Sequence, residues 1–251
     1  MSSSKIFLHG VPDTPAVWGP LVEALGLPES QIHCPAMPGF VEPAPSGFPA
    51  TKDAYADWLV EEIRKVHAES GPVDLIGHDW GSVLVLRAAC LVPELVRSWV
   101  ASDAVIDPDY RGHVMARRWA TPIVGELMMA LARPKALEAG LVGAGVPADI
   151  AAHDAATWTR PKRRAILNLY RSAKALRFSG DWIDRLSDMP KHGFIVWGET
   201  DPYVDQSFAE SFAERWSVPL HVEKGAGHWA IAERPDSIAA RLKEFWDTIP
   251  A

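Results

Sequence analysis

The chain is poor in several things, and each scarcity excludes something. Only two of its 251 residues are cysteines, Cys34 and Cys90. They lie far apart and lack metal-ligand spacing, so each reads as a reduced structural thiol rather than part of a disulfide framework or a zinc site. No apolar run approaches the roughly 20 residues that span a bilayer. The opening stretch, "MSSSKIFLHG", has no signal-peptide h-region. A cytoplasmic protein without a membrane partner is therefore expected. Positive charge is also short: the formal net charge is -7, and no lysine or arginine block is long enough to track phosphates. Nucleic acid is not expected as a partner. Asparagine occurs once, as Asn168, and there is no internal repeat or low-complexity tract.

What is present suits a soluble globular protein, with 48% hydrophobic and 23% charged residues. The length allows one large α/β domain with an inserted lid. Short β-branched or apolar runs at 5–9, 31–35, 73–77, 98–102, 193–197 and 219–223 read as strands. Longer amphipathic stretches at about 14–25, 53–68, 81–91, 204–215 and 235–248 read as helices. Strand followed by helix, repeated, argues a mostly parallel six-stranded sheet covered on both faces. Two segments break the rhythm. "PAMPGFVEPAPSGFPA" (35–50) is rich in proline and glycine and reads as a loop. Residues 107–190 contain helical stretches and no convincing strand, so they read as a cap inserted between core segments 1–106 and 191–251.

In such a sheet the ligand crevice lies beyond the carboxyl ends of the strands. The segments there are "HGVPD", "HDWGS", "SDAVID", "WGETDPY" and "KGAGHWA". "GHDWGS" (77–82) has the glycines of a tight strand-to-helix turn, where many hydrolases place a nucleophilic serine. Here the tip is Asp79. A plainer reading makes Asp79 the cap of the helix that follows. His228, flanked by Gly225 and Gly227, is either a base or a buried histidine satisfied by a carbonyl. Asp201 is either its acid partner or part of a turn, with Asp205 as the next helix cap.

Together these segments resemble the α/β-hydrolase family in its aspartate-nucleophile branch, which includes epoxide hydrolases and haloalkane dehalogenases. "HGVP" (9–12) resembles the oxyanion loop, "GHDWGS" the nucleophile elbow, "WGETDPYV" the acid segment and "GAGHWAIAERPD" the histidine segment. The order Asp79, Asp201, His228 matches nucleophile, acid and base. The resemblance covers nearly the whole chain except the cap. It departs at the start: the family usually has two antiparallel strands before the HGxP strand, and only "MSSS" precedes "KIFLH" here. The strand at 31–35 should therefore be an edge, which needs protection. Some dehalogenases carry the acid one strand earlier, where this chain has Asp103. The resemblance makes His78 structural and places His9 at the pocket base.

An aspartate suits attack on an sp³ carbon, as in an epoxide or alkyl halide. Serine would form an ether that water cannot readily cleave, whereas aspartate forms an ester. Asp79, with a reference pKa of about 3.9, needs no base for that step. His228, oriented by Asp201, would activate water to open the ester, with the backbone N–H groups of Val11 and Trp80 as the oxyanion hole. The scheme needs no cofactor and no metal.

The leaving group separates the two chemistries. An alkoxide wants a proton, and "LNLYRSA" (167–173) resembles the epoxide-hydrolase cap segment whose tyrosine holds the epoxide oxygen, here Tyr170. Packing on an amphipathic helix is the competing role for that tyrosine. A second cap donor is not matched by Tyr110, which leaves His113 and Trp119 as polar candidates for contact with substrate. For a halide, Trp80 resembles the first halide-binding tryptophan, but the usual asparagine of the HGxP loop is Val11. Trp119, Trp158 or Trp182 could substitute, with core packing the alternative for each. Haloacetate enzymes follow the nucleophile with paired arginines; here Trp80 and apolar residues stand there, with Arg87 further along. A non-catalytic ligand-binding member of the fold is the remaining alternative. The expected partner is a small apolar organic substrate, and both monomer and homodimer are open.

Overall fold

The structure, a computed structural model, describes residues 3–250. Its sheet has six strands, all paired in parallel: β1 (Lys5–Leu8), β2 (Ile32–His33), β3 (Val73–His78), β4 (Val96–Ser102), β5 (Gly193–Gly198) and β6 (Leu220–Glu223). Their order across the sheet is β2-β1-β3-β4-β5-β6. Strand alternation sorts the buried side chains into two layers. Ile6, Leu8, Leu75, Trp99, Ala101, Ile195 and Trp197 face one core. Phe7, Ile76, Val100, Phe194 and Val196 face the other.

Helices connect the strands and cover both faces. In chain order they are α1 (Gly19–Leu25), α2 (Lys52–Ser70), α3 (Trp80–Leu91), α4 (Val114–Ala120), α5 (Val124–Leu131), α6 (Pro134–Gly143), α7 (Ala148–Ala156), α8 (Arg160–Ser172), α9 (Asp181–Asp184), α10 (Gln206–Trp216), α11 (Ala230–Glu233) and α12 (Pro235–Asp247). The sheet takes no strand from residues 107–190, which carry α4 to α9. This block is not a detached layer. Leu141, Ile150 and Ala151 of α6 and α7 pack with α1 and α12, while Ile166 and Leu169 of α8 join the opposite core. No helix of the described residues is long and apolar enough to cross a membrane.

Two boundaries differ from the sequence pattern. The helix expected over 14–25 opens as a 3-10 turn (Pro15–Trp18), with Thr14 Oγ1 accepting the Ala16 N–H, and becomes α-helical only at Gly19. The edge strand expected over 31–35 pairs through only two residues, Ile32 and His33. Pro35 has no N–H to extend the ladder, and so short an edge offers little to a foreign strand.

Close backbone packing at the end of β3 sets the position of the turn that follows. A Cβ on Gly81 would stand 2.0 Å from the Leu8 carbonyl oxygen of β1. Gly81→Ala must push backbone apart, so a loss of about 3 kcal/mol is expected. The midpoint of urea unfolding measures it. A midpoint equal to wild type would show that the contact is not tight.

Candidate active site

Asp79 sits at the turn between β3 and α3 with φ of 51° and ψ of -121°. Few non-glycine residues hold such a conformation, and it lifts the side chain clear of both elements. The carboxylate is not a simple helix cap, since it makes no capping bond to α3. Instead its Oδ1 accepts the Val11 N–H at 2.8 Å. Its Oδ2 lies 3.5 Å from His228 Nε2. Gly10 allows this approach, because a Cβ there would come within 2.5 Å of Asp79 Cβ.

His228 follows β6 and reaches back across the strand ends. Its Nδ1 donates to Asp201 Oδ2 at 2.7 Å. Asp201 is itself held after β5 by the N–H groups of Tyr203 (2.7 Å) and Val204 (3.2 Å) on its other oxygen. Asp205, next along, caps α10 by accepting the Ser207 N–H at 2.9 Å. Asp103 also stands close, but its oxygens accept the Gly198 N–H (2.8 Å) and the Ser102 hydroxyl (2.6 Å), not the histidine. Burial pushes the Asp103 carboxyl up from its ordinary value.

The electrostatics follow from this crowding. Burial alone would raise the Asp79 carboxyl, but His228, His78 and the Trp80 N–H together hold it below its ordinary 3.8. Burial would likewise lower His228, yet Asp201 and Asp79 raise it well above 6.5. At rest the trio is therefore an imidazolium between two carboxylates. His78 stands behind it. Its Nε2 donates to the His228 carbonyl at 2.8 Å, and its Nδ1 lies 3.2 Å from Asp13 Oδ2. Burial disfavours its charge, but Asp13 wins and raises its pKa.

A cavity of about 250 Å³ opens over Asp79 and His228. Its lining includes Val11, His113, Trp119, Leu137, Tyr170 and Tyr203. No lysine or arginine lines it. Trp80 borders only a smaller recess of about 20 Å³ beside Asp79. Its indole is 1% exposed, and Nε1 is buried with no hydrogen-bond partner. Tyr170 is buried against it edge-on at 5.4 Å, and against Trp119 at 5.2 Å. The structure thus brings Asp79, Asp201, His228, Val11, Trp80, Tyr170, His113 and Trp119 together.

His9 is the correction. It lines neither the cavity nor the recess. Its Nδ1 donates to the Gly10 carbonyl at 2.9 Å, and its Nε2 accepts the Met37 N–H at 3.1 Å. Both ring nitrogens are used in shaping the loop, and burial lowers its pKa to about 4. Other candidates also fall away from the site. Trp158 donates to the Ala132 carbonyl (3.0 Å), Trp182 to Asp53 (2.7 Å) and Asn168 to the Pro49 carbonyl (3.2 Å). Tyr110 does line the recess beside Asp79, but its hydroxyl donates to the Tyr203 carbonyl at 3.0 Å. Arg87 is paired with Asp181.

Two features were not read from sequence. Tyr203 packs edge-on against the His228 ring at 4.9 Å, and its place two residues after Asp201 was the available signal. A buried polar group also ties the inserted helices to the loop after β1. Thr14 donates to Asp154 of α7 at 2.6 Å, and fully buried Lys162 of α8 donates to Thr157 at 2.8 Å. Nothing in the spacing of those residues announces it.

Geometry and sequence agree on the class of protein. Residues 6–241 match the model of the alpha/beta hydrolase family, and the chain belongs to that family. One relative, the 2-(acetamidomethylene)succinate hydrolase of Mesorhizobium japonicum, is 28% identical over 96% of this chain and 87% of its own length. Among solved structures, epoxide hydrolase A from Mycobacterium thermoresistibile superposes with a TM-score of 0.78 at 19% identity, covering 99% of this chain and 92% of that one. A haloalkane dehalogenase variant from Bradyrhizobium elkanii gives 0.75 at 18% identity, covering 99% and 90%. At such identities the structures speak for the fold alone.

Proposed function

We propose that this hydrolase opens small, neutral, apolar epoxides to diols through an ester on Asp79, with residues 107–190 acting as the cap that closes the site. One observation carries the reading. Asp79 stands at the elbow with Oδ1 bound to the Val11 N–H and Oδ2 beside His228, under the Tyr170 side chain of the cavity wall. In this scheme Oδ2 attacks the epoxide carbon, and the C–O bond electrons pass to the epoxide oxygen. Tyr170 donates to that oxygen. Burial and the Asp79 charge keep its phenol well above 10, so it remains a donor.

Proton balance then follows. Alkylation removes the Asp79 charge that raised His228, so the imidazolium gives up its proton, which makes good the one taken by the alkoxide. Neutral His228 next takes a proton from water, and hydroxide adds to the ester carbonyl carbon. The oxyanion forms on Oδ1, already held by the Val11 N–H, and collapse releases the diol and restores Asp79 and imidazolium.

The cavity lining supports a neutral substrate. A succinate derivative of the kind named for the Mesorhizobium relative carries two carboxylates, and no cation lines this cavity to receive them. A halide leaving group finds no side-chain amide at Val11. The test is a parallel screen of epoxides and haloalkanes with product identified. Diol is expected; alcohol with free halide overturns the epoxide reading. Tyr170→Phe is expected to slow alkylation of Asp79 by about 10²-fold, as loss of an oxyanion donor does, while ester hydrolysis changes far less. Single-turnover kinetics separates the two steps. Unchanged alkylation would remove Tyr170 from the reaction.

A further inference from the structure

Charge is unevenly spread along this chain. Between residues 111 and 171 there are ten lysines and arginines against four acids, although the whole protein has a net charge of -7. Within that stretch α5, with the sequence VGELMMAL, holds one charged residue, and its charge is consumed: Glu126 accepts the Ile123 N–H at 2.8 Å and pairs with Arg171. A helix apolar on every side belongs inside a protein. Yet only Gly125 and Met129 of α5 are buried. Val124, Leu127 and Leu131, at three- and four-residue spacing, share one outer face, and the two leucines are 58% and 70% exposed. Ile123, just before them, is 80% exposed with φ of 71°, a value a β-branched residue seldom holds. Exposed cations surround this face. Arg118 lies in the last turn of α4, Arg133 and Lys135 open α6, and Arg160 and Arg164 of α8 line a groove against Met129 and Ala130 of α5. Among the described residues none of these five is in an ion pair.

We propose that this face of the inserted helices docks on an anionic lipid bilayer, with α5 lying in the interface and the flanking cations on the headgroups. The shortage of long apolar runs excludes spanning, not resting on a surface. No described helix is long and apolar enough to cross a membrane, but a helix lying flat needs only one apolar face and basic flanks. Charge selects the occupant. A second copy of this chain could cover the leucines, but a two-fold contact lays a patch on itself and would set the same unpaired cations face to face. An anionic bilayer takes up both the leucines and the charge. Position gives the docking a use. Ala136 and Gly140 of α6 are exposed and also line the cavity over Asp79, so its mouth opens at α6. Only Ala132 and Arg133 separate α6 from α5. Apolar molecules concentrate in bilayers, and a docked α5 brings that mouth to them. This last step rests on the apolar-substrate reading; the docking itself does not.

Co-sedimentation with vesicles is the test. At low salt the wild-type protein is expected to bind vesicles of phosphatidylcholine mixed with phosphatidylglycerol, and to bind pure phosphatidylcholine at least about tenfold more weakly. Salt at about 0.5 M should release it. Leu127→Glu combined with Leu131→Glu is expected to weaken binding about 10²-fold or more, and Arg133→Gln combined with Lys135→Gln about 30-fold. All four side chains are exposed and none lines the cavity, so the thermal midpoint should match wild type in both variants. Absence of binding to anionic vesicles overturns the inference, and so does binding that both variants retain in full. Equal binding to the two vesicle types overturns it as well, because the cations then play no part. Sedimentation equilibrium tests the competing occupant. A monomer is expected; a wild-type dimer that the paired glutamates convert to monomer assigns the face to a second copy and defeats lipid docking. The reaction is judged separately. Alcohol and halide in place of diol would leave the docking result standing, and loss of docking would leave the Asp79 scheme standing.

Discussion

Asp79→Asn is expected to leave a folded protein with turnover reduced by about 10⁴-fold or more, as removal of a nucleophile does elsewhere. The substitution changes almost no volume. Asparagine tolerates the positive φ of the turn better than most residues, and its carbonyl oxygen can still accept the Val11 N–H. What is lost is the charge and the nucleophilic oxygen. The carboxyl is held below its ordinary 3.8, so wild-type Asp79 is ionised across the whole neutral range and the variant differs from it at every working pH. Removing the anion also takes away one of the two carboxylates that raise His228, so the resting imidazolium should titrate nearer neutrality in the variant. Circular dichroism checks the fold, and steady-state turnover with intact-protein mass checks the chemistry. Turnover within about tenfold of wild type would remove Asp79 from the reaction.

His228→Gln is expected to do something different: to let the first step run and stop the second. Asp79 needs no base to attack, but water needs one to open the ester. Incubation with substrate should therefore leave a stable adduct on Asp79, visible in the intact mass and in a tryptic peptide that includes residue 79. The added mass is itself informative. An epoxide adds its whole mass, because its oxygen stays attached as a hydroxyl, whereas a haloalkane adds only the alkyl group. No adduct with a substrate that wild type turns over would defeat the two-step scheme. The pH dependence carries the same sign. In the alkyl-enzyme, ester hydrolysis needs neutral His228 and so falls on the acid side. In the resting enzyme the raised His228 pKa stabilises the fold below 6.5, and that contribution is lost as pH rises through the folded value.

The sequence by itself determined a good deal. Short apolar runs and turn signals located all six strands, most clearly the inner ones, because a strand buried on both faces is largely apolar, whereas the edges β2 and β6 are only half-buried. The order of "HGVP", "GHDWGS", "WGETDPYV" and "GAGHWA" placed the candidate site, because segments beyond the carboxyl ends of parallel strands converge whatever lies between them. Asp205 as a cap was legible too, since capping is a local affair.

Beyond the pairing of Asp201 with His228 implied by motif order, side-chain contacts between distant segments were not legible. His9 and His113 are both polar residues near the site, and in sequence they look alike. Tertiary structure alone decided that both nitrogens of His9 are used by Gly10 and Met37, while the His113 ring lines the cavity. Asp201 and Asp103 both follow strands; motif order pointed to Asp201, and packing shows His228 bonding it at 2.7 Å while Asp103 is taken up by Gly198 and Ser102. Thr14 with Asp154 is a contact across 140 positions of sequence. The physical reason is common to all of them. Elements are set by periodicity within a few residues, whereas the partner of a buried polar group is whatever the packed chain brings within about 3 Å of it.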